Sequence, residues 1–248
     1  KSVYFGRRSV PFFILVKLMS NEVLLILNLV IVYSSVILWH YFLKEKGLYC
    51  WTVLATIAAN IEVMILVEAF GMQQTLGNIL FASTFLVTDI LSELYGKKQA
   101  NTAVNVGILS SVTFIVLSQF WLHYTPAPED IVFPHIVAVF TNTPRIMLMG
   151  LLVYAIVQKF DVWLYHWWWS YTSKKFGSSR KYLWIRNNGS TMISQFLNAI
   201  LFTIGAFYGV YSSEVLMEII VFSYVVFFIT SLLDTPFVYL ARYLHTRN

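Results

Sequence analysis

Residues 216–240 read LMEIIVFSYVVFFITSLLDTPFVYL. Glu218 and Asp234 stand near the two ends, and nothing between them is charged. A helix of a soluble protein carries one apolar stripe and one charged face; this run is apolar on every face. At 1.5 Å per residue it is long enough to cross the roughly 30 Å hydrocarbon core of a bilayer. Six further runs of similar character lie at about 22–43, 50–70, 76–95, 101–122, 146–169 and 187–209. The segments between them hold breakers: Lys44-Glu45-Lys46-Gly47, Gly71, Gly96, Pro126, Pro128, Pro134 and Gly177-Ser178-Ser179. The 248-residue chain is 58% hydrophobic and only 12% charged. Soluble domains carry about twice that charge. An ordinary soluble enzyme and a disordered chain are both excluded, and a single cysteine excludes a disulfide framework. The reading is an all-α integral membrane protein with seven spans.

Loop charge gives the orientation. Lys44 and Lys46, Lys97 and Lys98, then Lys174, Lys175, Arg180, Lys181 and Arg186, and finally Arg242 and Arg247 fall in every second joint and at the C-terminus. The alternate joints 71–75 and 210–215 hold no Lys or Arg, and 123–145 holds only Arg145. The positive-inside rule puts the basic joints and the C-terminus in the cytoplasm, and the N-terminus outside. The net charge of +5 is explained by this distribution without nucleic acid. Residues 1–18 break the pattern with Lys1, Arg7, Arg8 and Lys17, and Met19-Ser20-Asn21-Glu22 resembles a translation start. The expectation is that 1–18 are a non-native or disordered extension. Most tryptophans, Trp39, Trp121, Trp163, Trp167, Trp168, Trp169 and Trp184, fall near span ends as an interfacial belt would place them.

Ionisable groups inside hydrocarbon are costly and mark pathways or sites. They concentrate in a few spans: Asn60 and Glu62; Thr84, Thr88, Asp89, Ser92 and Glu93; Gln158 and Asp161; and Asn187, Ser190, Thr191, Ser194, Gln195 and Asn198. Asp89 and Glu93 are four apart, on one helix face. Asn187, Thr191, Ser194, Gln195 and Asn198 also follow helical spacing, so two polar stripes could line one cavity. The bland alternatives are that Asp89 and Glu93 pair with Lys97 or Lys98, that Asp161 pairs with Arg186 or Lys159, and that the amides are interhelical glue. Asp234-Thr235-Pro236 reads as a proline kink. The first span has almost no polar residue and is expected at the periphery. Nucleotide-loop, zinc-protease and serine-hydrolase motifs are missing. An Asp89–Glu93 pair holding Mg²⁺ against a diphosphate is the enzymatic alternative, though two carboxylates are few for such a site. No metal or other cofactor is expected.

The string Thr88-Asp89-Ile90-Leu91-Ser92-Glu93-Leu94-Tyr95-Gly96-Lys97-Lys98 resembles the signature of the vitamin-uptake-transporter-like family, whose members are called queuosine precursor transporters. Arg145 with Gln158-Lys159-Phe160-Asp161-Val162, and Arg186-Asn187-Asn188-Gly189-Ser190-Thr191-Met192-Ile193-Ser194-Gln195, agree in order and spacing. The resemblance covers about residues 50–240. It implies a six-helix bundle over 50–244, like the substrate-binding subunits of energy-coupling-factor transporters, with 19–49 as an extra N-terminal transmembrane helix. It implies import of 7-cyano- or 7-aminomethyl-7-deazaguanine across a bacterial plasma membrane for salvage into tRNA queuosine. The partners would be that small base and the bilayer, with no direct contact to nucleic acid.

The base offers N1–H and an exocyclic amine as a donor pair for a carboxylate, and an O6 acceptor for an amide. Asp89, Glu93, Asn187, Gln195 and Asn198 are the expected base-reading residues; Arg145, Asp161 and Glu62 are expected to orient helices or gate. The chain departs from some members in carrying amides at Gln195 and Asn198. A second reading makes it the binding subunit of a multi-component transporter, docking a coupling protein through Ala55, Ala58 and Ala59.

Overall fold

In the computed structural model, residues 19–141, 144–177 and 182–247 are described. The expectation for 1–18, and the loop cations Arg180 and Lys181, lie outside them. The helices are α1 (Asn21–Glu62), α2 (Asn78–Leu94), α3 (Lys97–Trp121), α4 (Phe133–Thr141), α5 (Pro144–Phe176), α6 (Leu183–Phe207) and α7 (Ser213–Arg247); a two-stranded hairpin, β1 (Leu66–Ala69) and β2 (Met72–Thr75), joins α1 to α2. Five of the helices, α1, α3, α5, α6 and α7, are long and apolar enough to cross a membrane. The chain is an all-α membrane protein.

α1 contains two of the expected spans. A straight helix of 42 residues would be about 63 Å long. Yet Asn21, at its start, donates to the Glu68 carbonyl just past its end at 2.8 Å, and the Phe70 N–H donates to the Glu22 carboxylate at 2.9 Å. The reversal occurs at Lys44, whose φ of 56° and ψ of −136° lie outside the helical region. Gly47 makes it possible: a Cβ there would collide with the Trp39 carbonyl. Trp39 and Trp51 then meet edge to face across the turn, 6.0 Å apart. The first arm buries Tyr33, Val36 and His40 and leaves Ile26, Val30, Ile31 and Phe42 outward, as a peripheral span should.

One expectation needs correction. The second span does not run to residue 70: the helix stops at Glu62, and Leu66–Thr75 pair as an antiparallel hairpin with Ala69 opposite Met72. Its turn, Phe70-Gly71, has φ of 54° and 74°, both positive as a type I′ turn requires. The joint at 123–145 contains the short helix α4, nine residues long.

α2 is the central helix. Buried residues run along it from Ile79 to Ser92, and it packs on α1, α3, α5 and α7. At 17 residues it measures about 26 Å, short of the hydrocarbon thickness. Gly96, with φ of 96°, turns the chain straight into α3.

The two ends of the bundle differ in charge, as the loops predict. At one end Tyr95 hydrogen-bonds His40 (3.1 Å) and His245 (3.5 Å), which gathers the Lys44 turn, the α2–α3 joint and the C-terminus. At the other end stand Asn21 and the hairpin. There Arg145 donates to the carbonyls of Gly205 (3.0 Å) and Tyr208 (2.8 Å), satisfying the end of α6.

Gly47→Val should destabilise the folded protein by about 1–3 kcal/mol, because the clash is with backbone that cannot move aside. Thermal unfolding in detergent would measure this. Arg145→Ala should cost about 1 kcal/mol by the same assay, through the uncapped α6 carbonyls.

Candidate functional site

A cavity of about 1120 Å³ opens at the end poor in Lys and Arg, between the hairpin, the last turns of α6 and the first turns of α7. That exceeds the usual range of small-molecule pockets, about 300–1,000 Å³. Phe81 is a wall residue; its ring lies 6.1 Å from Tyr154 and 6.2 Å from Phe227, which also line the cavity. The polar lining includes Asn60, Thr84 and Asn198, with Glu68, Glu214 and Glu218 toward the hairpin and α7. None of its described lining residues is Lys or Arg. Tyr154 is buried, and its hydroxyl has no hydrogen-bond partner.

From Asn198 and Thr84 a column of buried polar side chains runs toward the basic end. It exists because α2 and α6 are antiparallel and turn their polar faces toward each other. Their backbones are not in close packing, and side chains bridge the gap. In the first layer Gln158 of α5 donates to Thr84 (2.5 Å) and accepts from Thr88 (3.3 Å). Asn198 donates to Gln195 at 3.5 Å. In the next layer Thr191 donates to Asp89 Oδ2 at 3.1 Å. Asp161 lies beside Ser194 on α6. The last layer is an ion pair. Arg186 approaches Glu93 through Nε (3.0 Å to Oε2) and Nη2 (2.8 Å to Oε1, 2.6 Å to Oε2). Tyr165 donates to Glu93 Oε2 at 2.9 Å, Arg242 Nη1 reaches Oε1 at 3.3 Å, and the Arg186 guanidinium lies 4.3 Å from the Trp169 ring.

Several column oxygens have unspent capacity: Asp89 Oδ1, Ser92 Oγ and Asn187 Oδ1 have no hydrogen-bond partner, and Asp161 has only Ser194 beside it. Buried polar groups are nearly always hydrogen-bonded, so unspent capacity of this density marks a place built to engage something polar. Among the described residues no group of three or more His, Cys, Asp or Glu side chains is arranged to hold a metal ion.

The structure sorts the residues expected from sequence. Asn198 lines the cavity, and Gln195 lies directly beneath it. Asp89 is fully buried one layer further in, and Asn187 lies deeper still, donating to Thr235 of α7 at 3.2 Å. Glu93 is not open to a ligand beside Asp89. Its carboxylate is filled by Arg186, Tyr165 and Arg242, and these, rather than Lys97 or Lys98, are its partners. Arg186 is therefore Glu93's partner and not that of Asp161. Arg145 caps α6. Glu62 sits half-buried at the end of α1, with Oε2 unpartnered. Sequence reasoning missed Phe81 and Tyr154, which look like any other aromatic residue of a span. It also missed the layer role of Gln158 and Thr84, though both were visible as polar residues in hydrocarbon.

A family model described as "Putative vitamin uptake transporter" matches residues 75–241, which include the column and most of the cavity. A protein of Bacillus subtilis (strain 168) named "Probable queuosine precursor transporter" is 35% identical over 224 residues, covering 90% of this chain and 96% of that protein. No solved structure matches. With multiple spans, an inward-leading polar column and these two likenesses, the chain belongs to the vitamin uptake transporter family and is a multi-pass membrane transporter.

Proposed function

We propose that the chain imports a queuosine precursor, 7-cyano- or 7-aminomethyl-7-deazaguanine, across a bacterial plasma membrane with its basic end and C-terminus in the cytoplasm. The observation that carries this reading is the column of unspent oxygens and amides beneath an aromatic-walled cavity. A purine-like base is flat and needs an aromatic wall, which Phe81 and Tyr154 supply. Its N1–H and exocyclic amine form a donor pair that one carboxylate accepts at two points. Asp89, with Oδ1 free and Oδ2 held by Thr191, is the carboxylate for that edge. Gln195 and Asn198 supply amide donors for O6 on the way in, and Asn187 offers a further acceptor below.

A cavity whose described lining has no Lys or Arg, and which is bordered by Glu68, Glu214 and Glu218, tolerates a cationic aminomethyl group and disfavours an anionic ligand. Residues 50–244 form the transporting unit, with the first arm of α1 packed on its side. The relative's printed name supports the same cargo.

The test is restoration of queuosine in tRNA. The host should insert and process a supplied precursor but lack precursor synthesis and its own importer. Expression of this chain with nanomolar precursor should restore the modified nucleoside, and Asp89→Ala should lower uptake about 10- to 100-fold while leaving membrane insertion intact. Normal uptake by that variant would remove Asp89 from the site. Asn198→Asp places a carboxylate in the cavity wall. It should shift preference toward the cationic aminomethyl base about tenfold, measured by competition between the two bases.

A further inference from the structure

We propose that Glu93, Arg186 and Arg242 form the gate at the basic end, and that it opens by passing Glu93 from Arg186 to Arg242. The proposal rests on the transporter reading above but not on the identity of the cargo.

The ion pair stands where the column ends. The polar column runs about 18 Å along α6 from Asn198 to Arg186 and stops at the pair. Beyond it a shallow surface depression of about 400 Å³ is lined by Ser92, Glu93, Gly96, His166 and Trp169. Glu93 thus borders the column on one side and the surface depression on the other. The Arg186 and Glu93 side chains are 0% and 4% exposed, so the barrier is dry and closed. The large cavity meanwhile opens at the opposite end. One end open and the other sealed is the arrangement an alternating-access carrier adopts when it faces away from its sealed end.

The composition of the barrier suits a gate that must also open. An Arg–carboxylate pair with two-point contact is the strongest ion pair a protein makes, and separating a buried one strands a charge. A gate made of that pair alone would be too costly to open. Glu93 has a second arginine within reach, and the two are on different helices: Arg186 on α6, Arg242 on α7. Displacing the inner end of α6 from α2 breaks the first contact while the second shortens from its 3.3 Å. Arg242 is already 25% exposed, so it loses little solvation in taking over. Arg186 keeps the Trp169 face on α5 during the exchange. Glu93 keeps a cationic partner in both states, and two alternative pairings of one carboxylate form a bistable element.

The first test uses access, which needs no ligand. With Cys50, the single cysteine, changed to Ser, the substitution Ser194→Cys places a buried thiol on α6 about 12 Å above Arg186. A membrane-impermeant maleimide is added to membrane vesicles of each orientation. With the gate intact, this introduced thiol should be unreactive from the basic end. Adding Glu93→Gln should raise its labelling rate from that side tenfold or more. Equal protection in a folded Glu93→Gln protein would overturn the proposal. Arg242→Gln serves if Glu93→Gln fails to fold, because Arg242 is partly exposed and Glu93 keeps Arg186. Arg242→Gln should lower labelling of the introduced thiol from the basic end below that of the parent in the presence of transported base. It should also slow uptake tenfold or more, with Arg242→Lys restoring part of it and affinity measured from the cavity side unchanged. Wild-type uptake by Arg242→Gln would overturn the handover. If the parent protein transports neither deazaguanine base, the import reading falls while the labelling result still decides the gate.

Discussion

Glu93 and Arg186 meet across a gap that hydrocarbon could never fill. Glu93 lies near the end of α2 and Arg186 near the start of α6, so their bond sets the two helices antiparallel and fixes their register. Four residues back along α2 and five forward along α6, Asp89 meets Thr191 in the same register. Each polar side chain is turned inward because a bilayer offers it no partner. Turned inward, these side chains keep the two backbones apart. The lumen is thus a consequence of satisfying polar groups away from lipid.

The remaining helices close this lumen. α5 contributes Gln158 to the first layer, Asp161 to the next, and Tyr165 and Trp169 to the last. α7 contributes Thr235 against Asn187 and Arg242 against Glu93. The first arm of α1 lies to the side of the column. It packs against α7 through Tyr33 and Phe237, whose rings meet at 5.3 Å, and its start is tied to the hairpin by Asn21 and Glu22. The tie has a geometric effect, because the hairpin it holds forms part of the cavity wall.

Much of this was legible in the chain. Apolar runs of spanning length and the alternation of basic joints described the helices and the two ends, since both follow from bilayer thickness and charge. The α6 stripe and the Asp89–Glu93 face were readable because helical spacing is local. What sequence could not supply was the partner across the gap. The sequence offered Arg186 to Asp161, and Lys97 or Lys98 to Glu93, and only packing decides between carboxylates on different helices. The hairpin was hidden because Leu66 and Val67 extend an apolar run, and its Phe70-Gly71 turn lacks the Asn-Gly signal of a type I′ turn. Phe81 and Tyr154 carried no signal, because an aromatic facing a cavity and one facing lipid read alike.

The central claim is that this column reads a purine-like base with Asp89. Equilibrium binding to the purified protein tests it most directly, titrating 7-cyano- and 7-aminomethyl-7-deazaguanine against the wild type and Asp89→Asn, which keeps the shape and removes the charge. The account predicts saturable one-to-one binding by the wild type and a loss of about 10- to 100-fold in the variant. Equal affinity for the two proteins, or no binding of either base by the folded wild type, would contradict it.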